Sequence, residues 1–149
     1  MRIKVRSNFR ELARGQEHRG LSSDGEFYVL GVDEENYRLI NRNGEPILYP
    51  KDLFEVLDAS IPSGWHFHDY EDGEYHLQPA RTAEPGFYED WHGSDGDRVA
   101  QAAARRTLRE ELERLADESG KEDQVLIHEA LSRMAWISEP RPRPTDLQE

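Results

Sequence analysis

The sequence predicts an α+β protein in which a small five-stranded β-barrel is followed by an irregular segment and a C-terminal antiparallel helical hairpin. Short runs rich in β-branched and aromatic residues, separated by turn residues, recur within the first 57 positions. From residue 97, apolar residues instead recur at intervals of three and four, the spacing of amphipathic helices. We therefore assign a barrel to 1–68, an irregular acidic and aromatic segment to 69–96, a helical hairpin to 97–138 and a disordered tail to 139–149.

The predicted barrel begins with a strand in which Ile3 and Val5 alternate with basic residues. A long loop over 7–24 follows, with one helical turn at 9–12. The other strands are predicted at 26–32, 37–41, 46–49 and 53–57. Asn43-Gly44 is the strongest short-range signal for a hairpin. Because short strands joined by tight turns protect their edges best by curling, we expect a closed barrel.

The segment at 69–96 shows little periodicity. A turn is expected just before it at 61–65, and a short strand within it at 74–77. Glycines and a proline surround Phe87, Tyr88 and Trp91, whose spacing suits a single helical turn that buries two rings.

Two helices are predicted in the last third of the chain. The first begins near Asp97, with Ser94, Asp95 or Asp97 as its cap, and ends at Ser119-Gly120. The second runs from Val125 to about Ile137, before a proline-rich tail. Their apolar stripes must be buried, either against the barrel or in a dimer, so we expect a monomer or a dimer formed through these helices.

Charge is unevenly distributed along the chain. The net charge is −12, and residues 21–95 hold 17 acidic and four basic residues, a net charge of −13. Such a field repels nucleic acid and speeds encounter with a basic protein, although acidity can also serve solubility alone. There is no cysteine, no signal-peptide pattern and no long apolar run, so we expect a cytoplasmic protein that contacts neither membrane nor nucleic acid.

Basic residues concentrate at the N-terminus, at Arg2, Lys4, Arg6, Arg10 and Arg14. They could contact nucleic acid or pair with the protein's own acidic centre, residues 21–95. We favour the second interpretation because the remaining chain is strongly acidic.

Motifs for catalysis or metal binding are weak. His66 and His68 would share one face of a strand, with His76 nearby, but no zinc-binding spacing is present. The acidic run 69–74 lacks the order of a calcium-binding loop. Nucleophile and phosphate-binding motifs are also missing from the sequence. We therefore expect a protein that is not an enzyme and has no cofactor or metal, while a metal-dependent enzyme using these three histidines stays open.

The candidate partner-binding surface combines carboxylates with tyrosine and tryptophan, the residues that anchor many protein interfaces. Its members are Asp69, Tyr70, Glu71, Asp72, Glu74, Tyr88, Glu89, Asp90 and Trp91.

Residues 28–57, with Ile61-Pro-Ser-Gly-Trp65 after them, resemble small bacterial SH3-like β-barrel proteins, some of which resemble immunity proteins of toxin–immunity pairs. The resemblance covers residues 1–68 at most and consists of turn and core residues. It implies an SH3-like barrel and a basic toxin as the partner, but it implies no catalytic residue. We expect an intracellular protein-binding inhibitor, an immunity protein that neutralises a basic toxin domain through an acidic surface. The alternative is a non-catalytic adaptor or regulatory module built on the same barrel.

Overall fold

A computed structural model describes residues 1–13 and 18–138, and the described residues form an α+β fold with two antiparallel sheets. The strands are β1 (Arg2–Val5), β2 (Glu26–Tyr28), β3 (Gly31–Asp33), β4 (Asn36–Ile40), β5 (Pro46–Pro50), β6 (Phe54–Asp58), β7 (Trp65–Asp69) and β8 (Tyr75–Pro79). The helices are α1 (Phe9–Leu12), α2 (Phe87–His92), α3 (Arg98–Glu118) and α4 (Lys121–Ser138), and short 3₁₀ turns occupy Lys51–Leu53, Glu71–Gly73 and Ala80–Thr82.

The strand predicted at 26–32 is divided into β2 and β3, and it supplies both sheets. The first sheet has the order β2-β1-β6, and the second has the order β5-β4-β3-β8-β7. Between the two halves, the Val29 N–H donates to Met1 O at 3.0 Å and the Leu30 N–H donates to Arg38 O at 2.8 Å. One bent segment therefore hydrogen-bonds to one sheet and then to the other.

The predicted closed barrel is not found among the described residues, which form two separate sheets. Two other features shape the second sheet. The β7–β8 hairpin extends the second sheet beyond β3, with Val32 opposite Leu77 and Asp33 opposite His76. The helices cover one face.

Two hydrophobic clusters follow from the alternation of side chains along the strands. One lies between the sheets and includes Ile3, Val5, Phe27, Val29, Leu39, Tyr49 and Phe54. The other joins Tyr28, Leu30 and Ile40 to the helices through Trp91, Leu108, Leu112, Leu115, Ile127 and Met134. The predicted helical pair is confirmed, and its apolar stripes are buried against the sheets of the same chain.

A buried asparagine ties the long N-terminal loop to the Asn43-Gly44 turn. Asn41 is 3% exposed, and its Oδ1 accepts the N–H groups of Asn43 and Glu45 at 2.9 and 3.0 Å. Its Nδ2 donates to Tyr49 Oη at 3.1 Å, and that hydroxyl donates to Arg19 O at 2.5 Å. These bonds satisfy the polar groups that the turn buries.

The helix ends match their sequence signals. Asp97 caps α3, because its Oδ1 accepts the N–H groups of Val99 and Ala100, both at 3.0 Å. Ser119 and Gly120 separate α3 from α4. No described helix is long and apolar enough to cross a membrane. The disordered tail predicted at 139–149 lies outside the described residues.

Candidate functional site

The β7–β8 hairpin displays four carboxylates at its turn. Asp69, Glu71, Asp72 and Glu74 are all exposed. The turn is tight because Asp72 (φ 64°, ψ 29°) and Gly73 (φ 80°) both adopt the left-handed conformation. Glycine takes this conformation at no steric cost, and aspartate tolerates it better than most residues. The sequence Asp72-Gly73 thus places the acidic side chains at an outward-pointing tip.

A second acidic turn lies beside this tip. The Tyr75 N–H donates to Glu34 Oε2 at 3.3 Å, although 41 positions separate the two residues. Glu34 and Glu35 are exposed in the turn between β3 and β4. We use the name acidic end for the six carboxylates that these two turns contribute, namely Glu34, Glu35, Asp69, Glu71, Asp72 and Glu74. The sequence pattern did not assign Glu34 and Glu35 to the site, because only strand pairing brings them to the hairpin.

The carboxylates of the hairpin tip lie apart from the basic side chains of the described residues. Within the described residues, no basic side chain forms an ion pair with Asp69, Glu71, Asp72 or Glu74. Lys51 lies nearby, but its Nζ donates to Tyr75 Oη at 2.9 Å rather than to a carboxylate. The acidic end therefore projects a negative field that no direct ion pair with residues 1–13 or 18–138 offsets.

Three of the N-terminal basic residues form ion pairs within the chain; Lys4 and Arg6 pair with the acidic centre, as we favoured from the sequence, whereas the shortest contacts of Arg2 are to helix α4. Arg2 contacts Glu122 at 2.7 Å and Asp123 at 2.9 Å. Lys4 and Arg6 lie 3.7 Å from Asp24 and 3.5 Å from Glu55, respectively. Arg14 lies outside the described residues.

Two exposed aromatic side chains accompany the acidic end. Tyr70, which the sequence analysis placed in the partner-binding surface, is 44% exposed at the start of the turn. Phe67, which it did not single out for the site, is 57% exposed on β7, and its ring stacks on Tyr75 at a centroid distance of 5.8 Å. Both rings are available as anchors for a partner.

The structure places Tyr88 and Trp91 in the core instead. They are 8% and 1% exposed and pack with the helices, so their side chains are covered. The Arg38 guanidinium lies 3.7 Å from the Tyr88 ring centroid, and Arg105 lies 4.7 Å from that of Trp91. Burial raises the pKa of Tyr88 and lowers that of Arg38. Tyr88 and Trp91 are covered, and not available to a partner, because the short helix α2 buries its aromatic face against α3.

Glu89 and Asp90 also lie on α2, the first exposed and the second half-buried. No hydrogen bond or ion pair within the described part of the chain joins them to the hairpin. The structure thus separates the predicted site residues into an exposed hairpin group and a helical group.

The three histidines occur on one face of the hairpin. His68 and His76 are opposite each other, and the Tyr70 ring lies 4.2 Å from His68 and 5.0 Å from His76 between centroids. With His66 and Glu84 they line a groove of about 360 Å³. No group of three or more His, Asp or Glu side chains among residues 1–13 and 18–138 is arranged to hold a metal ion.

Comparison of the chain with protein-family models, curated proteins and solved structures gives no significant match.

Proposed function

We propose that this protein binds a basic partner protein through the acidic end, and that it acts as an intracellular inhibitor of the immunity-protein type. The observation that carries the proposal is the convergence of two exposed acidic turns, held together by the bond from Tyr75 to Glu34, beside exposed Phe67 and Tyr70. Carboxylates without paired cations attract a basic surface, and neighbouring aromatic rings supply area that can be desolvated.

Electrostatics favours a basic partner over other classes. The pairing of Arg2, Lys4 and Arg6 inside the chain leaves these cations engaged with its own carboxylates. The net charge of −12 opposes contact with phosphate backbones. Toxins that act on nucleic acid are basic because they bind phosphate, so they suit this surface.

We further propose that residues 1–58 form an SH3-like unit. The order of the described elements supports this proposal: a first strand, a bent strand shared by two sheets, a hairpin, a 3₁₀ turn and a last strand that returns to β1. β6 pairs with β1 through Lys4 opposite Glu55 and Val5 opposite Phe54. In this proposal the β7–β8 hairpin is an addition that carries the binding function.

The first experiment is affinity capture from the source cells at low and moderate salt. It compares the wild type with a variant in which the tip is neutral, Asp69→Asn/Glu71→Gln/Asp72→Asn/Glu74→Gln. Asparagine tolerates the left-handed conformation at position 72, so this variant keeps the turn. The matched control, Asp95→Asn/Glu113→Gln/Asp117→Asn/Glu129→Gln, removes the same charge from exposed positions outside the acidic end.

We expect the wild type and the control to capture one basic protein, encoded beside this chain, and the tip-neutral variant to lose it. Coexpression of that protein with the wild type should restore growth if the partner is a toxin. Because exposed charges are screened over ~8–10 Å at physiological ionic strength, the association rate should fall steeply with salt. Capture of the same protein by all three chains would contradict the proposed surface, and capture of several unrelated proteins would favour the adaptor function.

A further inference from the structure

Strand β7 is a free edge of the five-stranded sheet. The strand order ends at β7, which pairs only with β8 in the described structure. Four of its five residues are exposed, and Trp65 is half-buried. An edge strand with unpaired backbone groups is a template for pairing with another chain.

The direction of the free backbone groups follows from the hydrogen bonds of the hairpin. The Tyr70 N–H donates to Glu74 O at 2.8 Å, so the backbone of Tyr70 points toward β8. Backbone groups alternate in direction along an antiparallel strand. The N–H and C=O groups of Trp65, Phe67 and Asp69 therefore point outward, away from β8.

Two details on β8 support this assignment independently. Tyr75 is opposite Asp69, yet its N–H donates to Glu34 on the side away from β7. Pro79 is opposite Trp65 and has no N–H to offer. The pairs Asp69–Tyr75 and Trp65–Pro79 therefore have no hydrogen bonds between their two backbones, as the alternation requires.

The opposite edge of the same sheet is protected, whereas β7 is not. β5 begins with Pro46 and ends with Pro50, and proline cannot donate to an added strand. β7 contains no proline and no lysine, and its register with β8 runs without a shift from Trp65 to Asp69. It therefore lacks three of the devices that usually block edge pairing, namely proline, lysine and a β-bulge.

We propose that a basic, extended segment of the partner adds to the free edge of β7 as a further strand. The proposal rests on the proposed function and specifies its mode of binding. Main-chain bonds to Trp65, Phe67 and Asp69 supply the docking, as in other cases of strand addition. Charge selects the occupant, because the strand ends at the exposed carboxylates of the hairpin tip. A second copy of this chain fits less well, since each copy carries a net charge of −12.

The two faces of β7 define what side chains the occupant presents. Phe67 and Tyr75 offer an apolar surface on one face. On the other face, a basic side chain would meet the Tyr70 ring and the Glu84 carboxylate across the groove. The segment therefore alternates apolar and basic residues.

The test uses a synthetic peptide of about eight residues in which lysine and valine alternate. The wild-type chain should bind it at low salt, with slower hydrogen exchange at the amides of Trp65, Phe67 and Asp69. The same peptide with N-methyl groups on alternate residues keeps its charge but loses the donors of one edge, so its affinity should fall about tenfold or more. A glutamate–valine peptide should not bind.

A pair of protein variants gives a second readout. Phe67→Pro removes an outward N–H from β7, and Val56→Pro places the same change in β6, an edge strand of the other sheet. With folding checked by thermal unfolding, only the first should weaken peptide binding. The N-methylation result decides the matter if Phe67→Pro does not fold.

The outcomes separate this inference from the proposed function. Equal binding of the methylated and unmethylated peptides, with unchanged amide exchange on β7, would overturn strand addition while leaving a basic partner in place. Equal binding of the glutamate peptide would overturn the basic occupant. Displacement of the peptide by self-association of the chain would identify a second copy as the occupant. Failure of the tip-neutral variant to lose its captured partner would refute the proposed function itself.

Discussion

The backbone N–H of Tyr75 donates to the side-chain carboxylate of Glu34 at 3.3 Å, which joins the start of the last strand to a turn 41 positions earlier. The bond does more than anchor the hairpin. Together with the pairing of β3 and β8, it holds two acidic turns side by side. Like charges repel, so the carboxylates of the acidic end are brought together by the backbone and not by mutual attraction.

Loss of this anchor should loosen the hairpin without unfolding the protein. Glu34→Ala removes an exposed hydrogen bond, so we expect a loss of unfolding free energy below ~1 kcal/mol and faster hydrogen exchange at Tyr75. Glu35→Ala is the matched control, because Glu35 uses its backbone carbonyl to accept the Lys51 N–H at 2.9 Å. Equal exchange rates in the two variants would show that the Glu34 carboxylate does not hold the hairpin.

The buried carboxylate of Glu111 should make Arg114 important for stability. Glu111 is 1% exposed and accepts two hydrogen bonds from Arg114, which is 41% exposed. Arg114→Met leaves the carboxylate buried and unpaired, so we expect a loss of about 3 kcal/mol in urea unfolding. Glu118→Gln, which removes only the exposed partner of Arg114, should cost less than ~1 kcal/mol. Similar losses in both variants would contradict this account.

Burial of the helices against the sheets predicts a steep contrast between two apolar positions on α3. Leu112 is fully buried, and Leu112→Ala should cost about 3 kcal/mol through lost transfer energy and a cavity. Val99 is 81% exposed, and Val99→Ala should change the unfolding free energy by less than ~0.5 kcal/mol. A small effect at Leu112 would mean that the helices do not pack on the sheets in solution.

Alkaline pH should destabilise the fold through Tyr28. Burial, with a contribution from Asp123, raises the pKa of Tyr28 from 10.0 to about 12. An acid whose pKa is raised by folding stabilises the protein below its unfolded pKa, and this contribution is lost as pH rises through the folded pKa. Stability should therefore fall between pH 10.0 and about 12, and Tyr28→Phe should reduce the fall. A slope that is the same in Tyr28→Phe as in the wild type would contradict this account.

Most strands of residues 1–58 are predictable from local signals. Four predicted strands lie within one residue of their observed ends. The signals for them include the alternation at Ile3 and Val5 and the Asn43-Gly44 turn. The fifth run, at 26–32, was expected as one strand but bends between Tyr28 and Gly31. A bend of this kind depends on which sheet each half pairs with, and no local pattern records it.

Strand β7 escaped prediction although Trp65 and Phe67 alternate with His66 and His68, because the alternating run is short and no residue in it is fully buried. Trp65 to Asp69 contains histidine, phenylalanine and aspartate on faces that are both exposed, and an exposed edge strand needs no buried face. Tyr88 and Trp91 show the opposite case. We predicted them in the partner-binding surface because acidic residues lie beside them in the sequence. The packing of α2 on α3 instead buries their rings.

The sequence by itself determined the α+β class, the positions of the main elements and the acidity of the central segment, because turn chemistry, apolar period and charge are local properties. Only the tertiary structure decided that the sheets stay separate, that the helical stripes are buried against them, and that Glu34 and Glu35 join the hairpin. These outcomes depend on contacts between residues tens of positions apart. Such contacts are set by strand pairing and by the burial of whole faces, which short-range patterns do not specify.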